Sequence, residues 1–172
     1  MKRLSALCAA AALLLPAAAA AEVKVTLKDV HLCCGGCVKG VAAALKGIEG
    51  VKPACDRDAG TVTLTAADEA AARKALAALA RAGYYGKSDS DKLAVPTPKG
   101  LPSGKVKTLT LAGFHNCCDA CAEGITEAVQ KVDGVERVTV TRRTLTATGN
   151  FDAAAVVKAM HDAGFSVRAG KK

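Results

Sequence analysis

Between residues 23 and 28 the apolar Val23, Val25 and Leu27 alternate with Lys24, Thr26 and Lys28, the period of two that marks a half-buried strand. Further on, Val38, Val41, Leu45 and Ile48 recur at spacings of three and four, which puts them on one helical face. Gly50 then predicts a helix end, because a left-handed cap is open to a residue without a side chain. Val51 to Thr65, rich in Val and Thr and broken at Asp58-Ala59-Gly60, predicts a hairpin. A second helix with Ala72, Ala75, Leu76 and Leu79 inward stops at Gly83, and Tyr84-Tyr85 predicts a last short strand.

The same order returns later in the chain. Leu109 and Leu111 alternate, Ala122, Ile125, Val129 and Val132 repeat the helical spacing, and Gly134 ends that helix. Val135 to Thr148 with a turn at Arg142-Arg143, a helix with Ala153, Val156, Val157 and Met160 inward, Gly164 and Phe165-Ser166-Val167 complete it. Residues 31–51 laid on 115–135 share eight identities in 21 positions, well above the one or two of chance. The chain therefore predicts an α+β protein of two ferredoxin-like βαββαβ domains in tandem, each with two helices on a four-stranded antiparallel sheet. Their expected bounds are 22–87 and 105–172. Between them, 88–104 reads as a linker, with Pro96, Pro98 and Pro102 opposing regular structure. A flexible coil of that size spans roughly 20–25 Å, so the two domains are able to meet.

Residues 1–21 form a separate element. Lys2 and Arg3 precede an apolar run that closes on Ala19-Ala20-Ala21, the signature of a cleaved secretory signal, which predicts a periplasmic or secreted protein without stable membrane insertion. The whole chain carries a net charge of +8 at pH 7. That charge is spread evenly over both halves, Trp is absent and only five residues are aromatic. Neither a basic stripe nor a stacking surface is present, so nucleic acid is not an expected partner.

The chemistry resides in the cysteines. Of eight, Cys8 belongs to the signal and Cys55 stands alone on a strand, where Thr139 occupies the matching position. The other six fall into His-x-Cys-Cys-x-x-Cys twice: His31, Cys33, Cys34 and Cys37, then His115, Cys117, Cys118 and Cys121. Both motifs lie where the first strand gives way to the first helix. Free backbone N–H groups and the positive end of the helix dipole favour thiolate there. Two thiolates at Cys-x-x-Cys spacing grip one soft ion, such as Cu(I), Zn(II), Cd(II) or Hg(II).

With these features each half resembles the heavy-metal-associated domain family of copper chaperones, metal-transporting ATPase modules and periplasmic mercury-binding proteins. The resemblance implies metal coordination by Cys34 and Cys37 and by Cys118 and Cys121, with Tyr84 and Phe165 as the aromatic residues that pack near each site. Two departures stand out. The family's methionine beneath the loop is replaced by Leu32 and Asn116, and an extra thiol, Cys33 or Cys117, offers a third sulfur to each loop. Those thiols stand equally as ligands or bystanders. His31 and His115 read as groups that cap or orient the loops, with direct ligation left open.

The expectation is a non-enzymatic exported protein with one thiolate site per domain that carries, buffers or scavenges a soft metal. Cu(I) is favoured, with Zn(II) and Hg(II) as candidates, and a metal-donating or metal-accepting protein is the expected partner. A local disulfide is the plain alternative for each Cys-x-x-Cys pair, and seven mature cysteines leave at least one unpaired in the chain. A thiol-disulfide redox protein and an interaction module with stapled loops are the rival readings. Against the redox reading, each half is short for a thioredoxin-like unit and no later proline faces the motif.

Overall fold

The computed structural model describes residues 21–97 and 99–170. Residues 1–20 of the expected signal, with Cys8, and Pro98 of the linker lie outside the described residues. The first half runs β1 (Val23–Lys28), α1 (Gly35–Leu45), β2 (Val51–Asp56), β3 (Thr61–Ala66), α2 (Glu69–Arg81) and β4 (Lys87–Ser88). The second runs β5 (Lys105–Ala112), α3 (Asp119–Gln130), β6 (Val135–Val140), β7 (Thr144–Asp152), α4 (Ala153–Asp162) and β8 (Arg168–Ala169). Two four-stranded antiparallel sheets result, in the orders β2-β3-β1-β4 and β6-β7-β5-β8.

Alternation sets the register. Val25 lies opposite Leu64 and Leu27 opposite Val62, and all four are fully buried. Leu109 and Leu111 meet Ala147 and Leu145 in the same way. On the helices the inward stripes are Cys37, Val41 and Leu45 in α1 and Cys121, Ile125 and Val129 in α3. Val38 and Ala122, expected inward, are half-buried, and a cysteine heads each stripe in their place. Burying each leucine or isoleucine on these faces is worth about 1.5–3 kcal/mol.

Three expectations are corrected. Helices α1 and α3 end at Leu45 and Gln130, and Gly50 and Gly134, at φ +72° and +82°, serve the turns into β2 and β6 instead of the helix caps. The segments Tyr84-Tyr85 and Phe165-Ser166-Val167 are not the closing strands, which fall at Lys87–Ser88 and Arg168–Ala169. Tyr84 and Phe165 pair with each other across the two halves. The linker is also partly docked: Leu93 and Val95 are buried, and Thr26 N donates to Asp89 Oδ1 at 2.9 Å, because two apolar side chains gain more from the core than from water.

The pairing of Tyr84 with Phe165 belongs to a larger junction. Tyr85 N donates to Gly164 O (3.1 Å) and Ser166 N to Gly83 O (3.0 Å). Gly83 and Gly164 have φ of +90° and +86°, and a Cβ on either would overlap the backbone nitrogen of His115 or His31 respectively. Each helix-ending glycine thus lets the opposite half's histidine approach, and the two His-Cys loops are brought face to face.

Candidate metal centre

Cys34 and Cys118 occupy the N-cap positions of α1 and α3, where Ser, Thr, Asp or Asn is the usual choice. Neither closes a side-chain cap hydrogen bond. The contrast within the same fold is direct: Asp68 and Asp152 cap α2 and α4, accepting from Ala71 N at 2.7 Å and Ala154 N at 2.8 Å. Sulfur at the two other caps forgoes that stabilisation and leaves two thiols free to face the junction. One turn on, Cys37 and Cys121 are fully buried, while Cys33 and Cys117 are exposed on the extended approach.

All six sulfurs converge. Cys33 Sγ lies 3.5 Å from Cys118 Sγ and 3.5 Å from Cys121 Sγ. Cys117 Sγ lies 3.6 Å from both Cys34 Sγ and Cys37 Sγ, and Cys37 and Cys121 approach to 3.9 Å. Within each half, Cys33 is 3.6 Å from Cys37 and Cys117 is 3.7 Å from Cys121. None of these thiols is in a disulfide. The expectation of one site per domain is therefore corrected to one shared cluster, since sulfurs of opposite halves are as close as those of the same loop. Among the described residues no close grouping includes Cys55, a half-buried β2 residue whose thiol pKa is pushed up by burial.

The two histidines back this cluster. A ring nitrogen of His31 groups with Cys33 and Cys121, and one of His115 with Cys37 and Cys121, each set within 4.8 Å. His115 Nδ1 lies 2.9 Å from Gly83 O, so that nitrogen carries the proton and donates it. Nε2 of both histidines is buried without a hydrogen-bond partner. The rings are held by aromatics: His115 stacks on Tyr84 (4.1 Å between centroids) and on Phe165 (4.7 Å), and His31 tilts against Phe165 at 4.4 Å. Tyr84 also donates its hydroxyl to Cys37 O at 2.9 Å, tying the aromatic to the loop.

The electrostatics separate the thiols. Burial raises the pKa of Cys121, but the imidazole of His115 beside it and a backbone amide overcome this and bring the thiol down to about 5. Burial likewise opposes charge on His115, and the neighbouring sulfurs of Cys121 and Cys37 with the hydrogen bond to Gly83 O outweigh this to raise it to about 9. At Cys34 the amides of Cys37 and Gly36, with Cys117, lower the thiol to about 6. Cys33 and Cys117 are raised, first by desolvation and then by neighbouring thiols. The pocket thus mixes thiolates with thiols that release protons only when a cation arrives, the chemistry of a soft-metal site.

Leu32 is buried beneath the first loop, as its replacement of methionine implies. Asn116 is packed differently, donating from Nδ2 to Thr141 O at 3.0 Å and tying the second loop to the β6–β7 turn. One contact escaped sequence reasoning: Tyr85 stacks on His161 at 4.0 Å across the junction. No periodic pattern signals it, because its partners lie on different halves.

A heavy-metal-associated domain is found at residues 117–166. No curated protein matches the chain. With the cysteine cluster, that domain supports binding of a soft heavy-metal ion. The match covers the second cysteine loop through Phe165, which includes Cys117, Cys118 and Cys121.

Proposed function

We propose that the protein is an exported, non-enzymatic carrier or buffer of a soft metal, Cu(I) before Zn(II) or Hg(II), built from two heavy-metal-associated domains that share one site. The observation that carries this reading is the convergence of six unpaired thiols, three from each half, at a junction backed by two imidazoles. Thiolates select soft ions over hard ones, and this set offers no carboxylate that would favour Mg(II) or Ca(II). Cys33 and Cys117 act as ligands in this reading. A site at a junction between two halves also suits delivery, because a partner protein that parts the loops would expose the ion.

Titrating the reduced protein with Cu(I) against a competing chelator tests the proposal. Binding tighter than micromolar, lost when the six cysteines are replaced by serine, supports it; micromolar or weaker binding overturns it. The thiol-disulfide reading is separated by a reductase assay, since turnover that disappears in Cys34→Ser and Cys118→Ser would belong to an enzyme.

A further inference from the structure

The pattern of close sulfur pairs carries more than a shared site. Nine pairs lie 3.5–3.9 Å apart, and six of the nine join opposite halves. Three more, Cys33/Cys34, Cys34/Cys37 and Cys117/Cys118, lie within 4.8 Å. Those twelve pairs omit Cys33/Cys117, Cys34/Cys121 and Cys37/Cys118. Such connectivity is that of an octahedron, with six sulfurs at its corners and the omitted pairs diametrically opposed.

We infer that the protein binds four Cu(I) ions as one four-metal, six-thiolate cluster, each ion on a sulfur triangle and each sulfur bridging two ions. The inference rests on the soft-metal reading above and adds the number and arrangement of the ions. Four triangles that share no edge use all twelve pairs once: Cys33/Cys34/Cys118, Cys34/Cys37/Cys117, Cys117/Cys118/Cys121 and Cys33/Cys37/Cys121. The first three are close metal-type groupings in their own right. The fourth, with edges of 3.5, 3.6 and 3.9 Å, is flanked by both histidines. An ion centred on a triangle of such edges lies about 2.1 Å from each sulfur, just under the roughly 2.3 Å of a metal–thiolate bond, so a small expansion seats it.

Other occupancies fit less well. A single ion at the centre would face six sulfurs at about 2.6 Å, too many and too far for a soft ion that takes two to four. Two ions, one per loop, require a gap between the loops that the short cross-half distances deny. Four tetrahedral divalent ions need a fourth donor each, and among the described residues only His31 and His115 group with the sulfurs. Three-coordinate Cu(I) needs none. Uptake involves no change of oxidation state: the six thiol positions give up whatever protons they hold, and four positive charges against six thiolates leave a cluster of net charge −2.

The test is native mass spectrometry and X-ray absorption on the reduced protein loaded anaerobically from a buffered Cu(I) source. The expected result is a four-copper species with few one-, two- or three-copper intermediates, three sulfurs per copper, and a copper–copper distance of about 2.6 Å set by the triangles. Saturation at one or two ions without a metal–metal distance overturns the cluster while leaving soft-metal binding intact; binding no tighter than micromolar overturns both. Cys33→Ser and Cys117→Ser, each checked for folding by circular dichroism, are expected to fall below four ions. Cys55→Ser is expected to retain four. Four ions retained by either loop variant would also overturn the inference.

Discussion

The two cysteine loops spell the same motif but occupy different environments. His115 is nearly buried, hydrogen-bonded to Gly83 O and stacked between Tyr84 and Phe165, and it holds Cys121 as a thiolate. His31 is less buried, touches Phe165 alone of those two aromatics, and has its pKa lowered, first by desolvation. Below the loops the same asymmetry continues, with apolar Leu32 buried on one side and Asn116 tied to Thr141 on the other. Each loop holds one lowered and one raised thiol, Cys34 and Cys33 in the first, Cys121 and Cys117 in the second, but Cys121 is backed by an imidazole whereas Cys34 is held down by backbone amides. Identical spacing therefore yields unequal electrostatics, because each loop is completed by the other half's residues.

Removing the sulfur that both histidines approach should have the largest effect. Cys121→Ser is expected to weaken Cu(I) binding by at least ~100-fold, more than Cys34→Ser, measured by chelator competition. Equal losses would erase the distinction between the loops. Gly83→Ala forces a Cβ onto His115 N and strains a left-handed backbone, so it should cost about 2–3 kcal/mol in urea unfolding. Gly47→Ala, at φ +84° with nothing within 4 Å, should cost only about 1 kcal/mol; a matching cost would show that the junction contact adds nothing.

In the metal-free protein the His115–Cys121 pair also predicts a pH profile. Cys121 contributes stability that is complete above its ordinary value of 9.0 and lost as pH falls through about 5. His115 contributes stability that is complete below 6.5 and lost as pH rises through about 9. Together they give stability that climbs from about pH 5 to 6.5 and is level up to about 9. Urea midpoints across that range should show the plateau, and His115→Gln should remove it while His31→Gln leaves it. The smallest effect is expected at Asn116→Leu, which exchanges one partly exposed hydrogen bond for an apolar contact at about 1 kcal/mol; Leu32→Asn, burying an amide, should cost more.

Most of the fold could be read from the chain. The alternation at Val23–Leu27, the inward faces Ala72/Ala75/Leu76/Leu79 and Ala153/Val156/Val157/Met160, and the two hairpin turns all fall where the pattern puts them. Helix ends were less legible: Gly47 and Gly50 both adopt left-handed backbone, and the pattern chose the wrong one as the stop. The linker's prolines concealed Leu93 and Val95, whose burial depends on a groove that no local period describes.

The sequence by itself determined the six candidate sulfurs, their place at two helix starts and their soft-ion preference, since thiol chemistry and helix-end electrostatics are local. Tertiary structure alone decided that the sulfurs form one set. That outcome depends on Gly83 and Gly164 admitting the opposite half's histidine and on Tyr84 pairing with Phe165, contacts between residues more than 30 positions apart. Periodicity reports how a segment meets its own core. It carries no information on which two cores meet, and here that meeting makes the site.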